Sequence, residues 1–425
     1  MAKCATCRSR LAKDAGDWCL SCGGPLPPDS APWELGSLRF KPFDLKWRAG
    51  LTASESPARQ AGWGRTLAVC IAVAVVVLAG IGLSTVGGVG TVGDAELFPA
   101  YDAAAGKYGY IDKNGTVVVR PRFTEVQPFS EGLAVVAEGD VWGYIDKRGE
   151  MVIPPWLDQA SAFSEGLAAV GVGEGYGYID QTGELVVWPG LPGARPFSEG
   201  LAAVILRSAD LYLWGYMDRT GALAVQPLFL SAGAFSEGLA AVMVRDESGQ
   251  VRAGYIDRTG AMVIPARFWA AEPFSEGLAA VWSGEGISQY WEYVDTSGAV
   301  AIDSRFSEAR SFSEGLAAVK LSDASVHSGY GYIDQSGSVV IRPRFWDVGP
   351  FSEGLAAVQP RAGSGDYRWG YIDREGRLVI PAQFSKAEPF LPGGLALVEM
   401  DKAGTQRAYI DKTGYVVYQW EQHAE

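Results

Sequence analysis

Apolar and polar residues alternate in a short phrase that recurs along most of the chain. In its clearest copy, Trp142-Gly143-Tyr144-Ile145-Asp146, alternate side chains point to opposite faces of a strand, so Trp, Tyr and Asp share one face. A second phrase, typified by Phe163–Val170, joins a polar Ser-Glu-Gly turn to the apolar run Leu-Ala-Ala-Val. Both phrases recur in this order over residues 97–420, which predicts a repeat array of short strands.

A turn signal follows the first phrase in every unit. The pattern Asp-x-x-Gly occurs nine times, from Asp112–Gly115 to Asp411–Gly414. Asp in the first position accepts hydrogen bonds from backbone N–H groups of a type I turn, and Gly in the fourth takes the positive φ. The next strand is apolar, as in Met151–Ile153, and we expect a proline to end it in most units. Residues 122–126 exemplify a candidate fourth strand.

These units predict an all-β fold made of antiparallel sheets with three or four strands each. One such sheet is marginal alone, and stacking on its neighbours supplies the missing core. Nine units of this size suit either a propeller-like ring or an open, curved superhelix. We assign residues 97–420 to the array, in which the first unit lacks a preceding strand, and residues 421–425 to a tail.

Aromatic rings precede the Gly of the first phrase in most units. We interpret these rings as packing between units, where each buries on the order of 150–250 Å². The Gly leaves room for a neighbouring side chain or backbone. Glu292 replaces this Gly in the sixth unit, where we expect a local distortion. The rings are Tyr108, Trp142, Tyr176, Trp214, Trp291, Tyr330 and Trp369.

The two phrases together resemble the WG repeat, also called KWG, of bacterial proteins. The resemblance covers residues 97–420 and is specific, because both phrases recur in order. It implies a β-rich array that is exported or attached to the cell surface and has no shared catalytic activity.

A long apolar segment precedes the array. Thr66–Val86 contains no charged residue, and as a helix it would span about 31 Å, which matches a bilayer's hydrocarbon core. We predict a single transmembrane helix at residues 66–86, after a linker at 27–65 and before a Gly-rich tether at 87–96; a buried core helix or strand is the alternative. Lys and Arg lie on the N-terminal side, which predicts a cytoplasmic N-terminus and an extracytoplasmic array.

Four cysteines form two C-x-x-C pairs near the N-terminus. Four thiolates in two tight turns are the ligand set of a tetrahedral structural Zn²⁺ site, and the metal would stabilise a segment too small to fold alone. Two local disulfides or free thiols are the alternatives. Residues 1–26 also resemble the short zinc-ribbon found at the start of many bacterial membrane proteins. The predicted ligands are Cys4, Cys7, Cys19 and Cys22.

Charge is divided unevenly along the chain, whose formal net charge is −13. Residues 1–65 contain 10 Lys and Arg against 6 Asp and Glu, whereas the remainder contains 26 against 43. An acidic array repels nucleic-acid phosphate, so nucleic acid is an unexpected partner for it. The zinc-ribbon, with nearby Lys3, Arg8, Arg10 and Lys13, could dock either nucleic acid or protein.

The recurrent Glu of the second phrase is the leading candidate for surface chemistry. Repetition would set these carboxylates in a row or ring that attracts cations or a basic partner. A solvent-exposed turn residue is the alternative, and it is favoured by the turn composition of Ser-Glu-Gly. The candidates are Glu131, Glu165, Glu199, Glu237, Glu276, Glu314 and Glu353.

The sequence favours a binding or scaffold protein over an enzyme. A glycosidase needs two carboxyl groups in different environments across one cleft, whereas repeats provide identical ones. We expect no catalytic residues, a structural Zn²⁺, a membrane anchor, a cytoplasmic partner for the zinc-ribbon, and a protein, peptide or glycan ligand for the array. A hydrolase acting on envelope glycans is the alternative. The variable connections between strands would determine which ligand is bound.

Overall fold

The computed structural model describes residues 96–208, 211–246, 248–285, 289–321, 329–361 and 367–422. The predicted zinc-ribbon, linker, transmembrane helix and most of the tether therefore lie outside the described residues. In the described part every regular element is a β-strand, and no helix there is long and apolar enough to cross a membrane.

Nine consecutive units make up the array, and we name the strands of each unit A to D in chain order. The first unit has only B, C and D strands, as predicted, and the other units have four. All pairings are antiparallel between sequence neighbours, and in unit 2 Leu133 pairs with Asp146 and Glu138 with Val141. In two places a single long strand serves as both the D strand of one unit and the A strand of the next.

The strand bounds are as follows. Unit 1 has Phe98–Asp102, Lys107–Ile111 and Val117–Phe123; unit 2 has Glu125–Val126, Leu133–Glu138, Val141–Asp146 and Met151–Leu157; and unit 3 has Gln159–Ala160, Leu167–Val172, Gly175–Asp180 and Leu185–Leu191. Unit 4 has Gly193–Ala194, Leu201–Ser208, Leu211–Asp218 and Leu223–Phe229, and unit 5 has Ser231–Ser236, Leu239–Arg245, Val251–Asp257 and Met262–Phe268. Unit 6 has Ala270–Ala271, Leu278–Ser283, Tyr290–Asp295 and Val300–Ala309; the last of these continues into unit 7, which adds Leu316–Leu321, Tyr330–Asp334 and Val339–Ser352. That strand continues into unit 8, with Leu355–Pro360, Trp369–Ile372 and Leu378–Phe384, and unit 9 has Lys386–Ala387, Ala396–Glu399, Gln406–Ile410 and Val416–Glu421.

The structure differs from the prediction in the position of the fourth strand and in the role of proline. The D strand runs through its prolines, as Met151–Leu157 does through Pro154 and Pro155. Its register shifts beside them, so residues without an N–H donor lie at a bulge on the sheet edge. The fourth strand is the short A strand, such as Glu125–Val126, which pairs with the B strand of its own unit.

The core lies between successive sheets and repeats from unit to unit. Between units 1 and 2, Tyr110, Val119 and Phe123 of one sheet pack against Ala134 and Ile145 of the next. Within the first phrase, the Tyr after Gly is fully buried in each unit, whereas the Trp or Tyr before Gly is mostly half-buried. This Tyr therefore packs between units. It lies two residues after the Trp or Tyr that we expected to do so.

The last sheet packs against the first through the same surfaces. Tyr409 and Trp420 of unit 9 are buried against Phe98, Ala100 and Ile111 of unit 1 in one apolar cluster. Phe98 and Ile111 occupy the positions that Ala134 and Ile145 hold in unit 2. Because the seam repeats the interface found between the other units, the array closes into a ring.

Close approach of two backbones explains the Gly of the first phrase. A Cβ added to Gly143 would lie 2.5 Å from the backbone oxygen of Ile153, in the D strand of the same sheet. Glu292 replaces this Gly in unit 6, yet Trp291 pairs with Phe306 and Tyr293 with Ile302 in the usual register. The distortion expected at Glu292 therefore does not occur in the strand pairing.

Candidate functional site

The ring has two chemically different ends. Leu133 pairs with Asp146, so the Phe-Ser-Glu-Gly turn before the B strand and the Asp-x-x-Gly turn after the C strand lie at one end, which we call the constant end. The B–C hairpins and the D-to-A connections lie at the other end, which we call the variable end. Its described hairpins are those of units 1, 2, 3 and 9, such as Asp102–Lys107 and Val172–Gly175, whereas part of the connection in each of units 4 to 8 lies outside the described residues.

The Asp-x-x-Gly turns have the predicted chemistry. In unit 2 an Asp146 Oδ accepts hydrogen bonds from the N–H groups of Arg148, at 2.9 Å, and Glu150, at 2.8 Å. Gly149 has a φ of 81° and donates to the Asp146 carbonyl at 2.9 Å. The Thr259 and Ser336 hydroxyl groups, together with backbone N–H groups, donate hydrogen bonds that lower the pKa of the equivalent Asp257 and Asp334 carboxyl groups.

The seven candidate glutamates share one unusual backbone conformation. Each has a positive φ, between 51° and 57°, a region that non-glycine residues seldom occupy. In six of them the carboxylate accepts a hydrogen bond from the Gly N–H of the following unit's Ser-Glu-Gly turn. For example, Glu165 accepts from Gly200 at 2.7 Å and Glu314 from Gly354 at 3.0 Å. The glutamates are thus turn residues, as the alternative interpretation held, but their carboxylates also contact a neighbouring unit.

Further hydrogen bonds connect the same turns. The Ser hydroxyl of each phrase donates to the Phe carbonyl of the next, as Ser130 does to Phe163 at 2.7 Å. The Tyr144 hydroxyl donates to the Ser161 carbonyl at 2.8 Å, and its ring centroid lies 4.8 Å from that of Phe163. The seventh glutamate, Glu353, pairs with Lys412 Nζ at 2.8 Å. At the constant end, hydrogen bonds and one ion pair therefore connect the turns of consecutive units, and we call this set of contacts the belt.

The carboxylates of this belt lie in near-identical surroundings, and each is half-buried or exposed. In the described ranges, no three His, Cys, Asp or Glu side chains are grouped so that they could hold a metal ion. The predicted zinc ligands Cys4, Cys7, Cys19 and Cys22 lie outside those ranges. Chemically, the belt offers carboxylate oxygens that accept hydrogen bonds and hold the ring together.

The variable end carries a different set of side chains, which sequence reasoning did not single out. The Arg252 guanidinium lies 3.5 Å from the centroid of the Trp269 ring, and Arg361 lies 3.9 Å from that of Trp346. Such stacks of a cation on an aromatic face present rigid, amphipathic contact surface. In the sequence these pairs appear only as an Arg and a Trp that lie beside different connections. They can be recognised as contacts only when it is known which strands pair.

The geometry defines a closed ring of repeated antiparallel sheets with uniform turns at one end and divergent hairpins at the other. Comparison with family models agrees with this class. The chain belongs to the family described as WG containing repeat, whose model matches residues 108–142, 142–175, 176–207, 214–247, 254–281, 293–323, 330–359 and 369–402.

Other comparisons add little to this assignment. No curated protein matches the sequence. The solved structures similar to this chain include the β-propeller domain of the Trilobed protease from Pyrococcus furiosus, with 11% identity, a TM-score of 0.35, and coverage of 61% of this chain and 99% of that one. TolB from Acinetobacter baumannii is also similar, with 14% identity, a TM-score of 0.29, and coverage of 62% and 79%. A KlHsv2 variant with loop 6CD replaced by a Gly-Ser linker has 9% identity, a TM-score of 0.35, and coverage of 61% and 95%.

Proposed function

We propose that this protein is a non-enzymatic binding or scaffold protein of the bacterial cell envelope, whose β-repeat ring presents its variable end to a protein, peptide or glycan ligand. The observation that carries the proposal is the separation of the two ends. Hydrogen bonds that maintain the ring lie at the constant end, so the hairpins at the other end can differ without loss of the fold.

The hairpins differ in both length and chemistry. In unit 2 the B and C strands end at the pair Glu138 and Val141, whereas in unit 4 they extend two pairs further, to Ser208 and Leu211. Trp282 and Trp291 stack with an interplanar angle of 10° at the variable end of unit 6. Aromatic and Arg side chains are the residues that contribute most to protein interfaces, and aromatic rings also stack on other flat ligands.

The absence of enzymatic activity is part of the proposal. It is supported by the likeness of the repeated carboxylates to one another, since acid and base catalysis requires two groups with different environments. A glycoside hydrolase with two catalytic carboxyl groups would need one of them to remain protonated, and the shifted carboxyl pKa values in the described ranges are all lowered.

The remaining parts of the proposal concern residues 1–95. A single transmembrane helix at residues 66–86 would place the N-terminus in the cytoplasm and the ring outside the cytoplasm. Zn²⁺ bound by the four N-terminal thiolates would stabilise a cytoplasmic docking module for an internal partner. Support comes from the uncharged apolar segment, the Lys and Arg before it, and the restriction of all five cysteines to residues 4–70.

Crosslinking in intact cells, followed by mass spectrometry, tests the proposed binding end. Replacing residues 244–252 by the short Glu138–Val141 hairpin, which keeps the flanking pair Met243 and Ala253 in register, should remove at least one partner that crosslinks to the unaltered protein. The control is Arg148→Ala, at an exposed residue of a constant-end turn, which should leave the partners unchanged. If hairpin replacements throughout the variable end left every crosslinked partner in place, the proposal would fail.

A further inference from the structure

The Tyr of the first phrase makes the same hydrogen bond in eight of the nine units. Its hydroxyl donates to a backbone carbonyl in or just after the A strand of the next unit, 17 residues further along the chain. In unit 8, for example, Tyr371 donates to the Glu388 carbonyl at 2.7 Å. Tyr409 of unit 9 is the exception. It is 1% exposed, yet its hydroxyl has no acceptor among the described residues, in which the next unit around the ring, unit 1, has no A strand.

A second buried donor lies on the same face of unit 9. Arg407 precedes Tyr409 by two residues on the C strand, so both side chains point toward the face that packs against unit 1. Arg407 Nη2 pairs with Glu399 Oε1 at 3.1 Å, whereas its Nε is buried and has no hydrogen-bond partner in the part of the chain that the structure describes. Because buried donors in folded proteins nearly always have acceptors, we expect a segment that carries acceptors to cover this face.

The sheet of unit 1 has an edge that is paired in every other unit. Elsewhere an A strand flanks the B strand; in unit 2 the Gln127 N–H donates to the Val135 carbonyl at 2.9 Å. No A strand among the described residues pairs with Phe98–Asp102, the B strand of unit 1. By strand register Pro99 is the counterpart of Val135. Proline lacks the N–H but retains the carbonyl that this pairing uses, so the edge can still accept an A strand.

The spacing of the other units identifies the segment that fits this edge. In unit 2 the A strand begins at Glu125, eight residues before Leu133, and the carbonyl that accepts the tyrosine hydroxyl belongs to the residue six positions before Leu133. Leu97 is the counterpart of Leu133 in unit 1. The same intervals counted back from Leu97 lead to Val89 and Thr91, which lie in the segment that the sequence analysis assigned to a tether.

The composition of this segment suits an A strand. A strands pair through backbone groups, and their side chains differ widely, from Glu125–Val126 in unit 2 to Gly193–Ala194 in unit 4. Val89 and Thr91 are β-branched residues, which favour the extended conformation. Glycine between them has a precedent in the A strand of unit 4.

The segment lacks the Phe of the second phrase, but another ring takes its place. In unit 9 the Phe390 ring centroid lies 4.9 Å from that of Tyr371 in the preceding unit. Where unit 9 meets unit 1, the centroid of Phe98, on the B strand, lies 5.5 Å from that of Tyr409. Phe98 therefore covers the ring of the last tyrosine, and what the tyrosine hydroxyl still needs is a backbone acceptor.

We propose that residues 88–91 pair with Phe98–Asp102 as the A strand of unit 1, and that the Thr91 carbonyl accepts the Tyr409 hydroxyl. The Thr91 N–H would donate to the Pro99 carbonyl. This strand would bond to unit 1 through its backbone and to unit 9 through Tyr409, so it would fasten the two ends of the ring to each other. Since every A strand runs from the variable end toward the constant end, the preceding chain would join the ring at the variable end, beside the hairpins.

Hydrogen exchange of the full-length protein in phosphatidylcholine nanodiscs, read at single residues, tests this strand. The Thr91 amide should exchange slowly, as should its counterpart Gln127, whose acceptor is the Val135 carbonyl. Exchange of Thr91 at the rate of an unstructured peptide would overturn the proposal. Protection of Thr91 that rises with protein concentration would also overturn it, because a second copy would then supply the strand.

A matched pair of proline substitutions tests the pairing with the B strand. Thr91→Pro removes the N–H that would donate to Pro99, and exchange at Gly88 should accelerate about tenfold or more. Gly88 is the counterpart of Thr124, which donates to the B strand in unit 2. Val92→Pro is the control and should leave Gly88 unchanged, because five other units have proline at this position. These prolines are Pro128, Pro196, Pro273, Pro350 and Pro389. Equal exchange at Gly88 in both variants would contradict the pairing.

The Tyr409 hydroxyl provides an independent comparison. Tyr409→Phe removes the donor to the Thr91 carbonyl, so exchange at Thr91 should accelerate about fivefold, which corresponds to about 1 kcal/mol. Tyr144→Phe removes the equivalent donor between units 2 and 3 and should leave Thr91 unchanged. An unchanged rate at Thr91 in the Tyr409→Phe protein would show that this carbonyl is not the acceptor.

A labelled peptide tests whether the edge of unit 1 is open in the unaltered protein. The peptide has the sequence of residues 86–95, and its fluorescence anisotropy should not change when the protein is added, because the chain's own segment already occupies the edge. Binding to the unaltered protein would overturn the proposal and would identify the edge of Phe98–Asp102 as a site for a strand from another molecule.

Discussion

Replacing Glu165 by Gly or by Ala distinguishes two reasons for a glutamate in the constant-end turn. Its φ is 55°, which Gly adopts without strain and other residues do not. Its carboxylate accepts the Gly200 N–H of the next unit at 2.7 Å, which Gly and Ala cannot do. If only the turn mattered, Gly would be the better residue; if the hydrogen bond dominates, Glu is better.

The two contributions can be estimated. A hydrogen bond to a charged group contributes about 1.5–3 kcal/mol, and since Glu165 is half-buried we take about 1.5–2 kcal/mol. A non-glycine residue at positive φ costs about 1 kcal/mol relative to Gly. Glu165→Ala keeps the backbone cost and loses the bond, so it should be about 1.5–2 kcal/mol less stable than the unaltered protein. Glu165→Gly recovers part of this and should be about 0.5–1 kcal/mol less stable.

Urea unfolding of the full-length protein measures the order of stability, and hydrogen exchange measures the bond itself. Exchange at the Gly200 amide should accelerate in both variants, because its acceptor is gone. Glu353→Ala is the control: the Gly394 N–H of the next unit already donates to the Leu391 carbonyl at 3.0 Å, so its exchange should not change. A Glu165→Gly protein more stable than the unaltered one, with unchanged Gly200 exchange, would refute this account of the turn.

Three other perturbations test the packing of the ring. Tyr144→Phe removes the donor to the Ser161 carbonyl and should lower the free energy of unfolding by about 1 kcal/mol in urea titrations; an unchanged midpoint would contradict the bond. Phe98→Ala should cost about 3–5 kcal/mol and make the seam between units 1 and 9 sensitive to limited proteolysis, whereas retained resistance would mean that the ring does not depend on this contact. Burial raises the pKa of Tyr144, Tyr178 and Tyr255 above the ordinary 10.0, so their stabilising contribution is complete below pH 10 and is lost as the pH rises further. The tyrosinate absorbance of Tyr144, taken as the part missing from the Tyr144→Phe variant, should therefore appear together with the loss of strand signal in circular dichroism above pH 10, and its appearance without that loss would contradict the burial of this ring.

Local turn chemistry and strand pattern were accessible from the sequence because each depends on residues close together in the chain. The Asp146 turn, the missing strand of unit 1 and the number of units were predicted from spacing alone, and the strand pairing agrees with them. The close approach at Gly143 was also expected, since a residue without Cβ at a fixed strand position indicates that two backbones lie close together.

Contacts between residues of different units could not be predicted from the sequence by such local rules. The partner of the Glu165 carboxylate is 35 residues away, and no local rule selects that Gly N–H over solvent. Ring closure likewise depends on whether Phe98 meets Tyr409, whose ring centroid lies 5.5 Å away, and both an open and a closed array satisfy the same repeat pattern. Trp142 and Tyr144 share one face of a strand, so alternation could not decide which of them is buried between sheets.

The separation of the two ends explains how near-identical repeats can support a specific binding surface. Units 2 to 8 each contribute one Ser donor and one Glu acceptor to the constant end, and these bonds join neighbours whatever hairpin the unit carries. Substitutions in a hairpin therefore change the surface at one position of the ring and leave the contacts between units intact. The D strands show a similar freedom, since Trp188 and Leu228 are exposed while their neighbours Val187 and Phe229 keep the repeated pattern of burial. A ligand contacting several units would meet a different side chain at each of them, and the order of the units along the ring would determine its specificity.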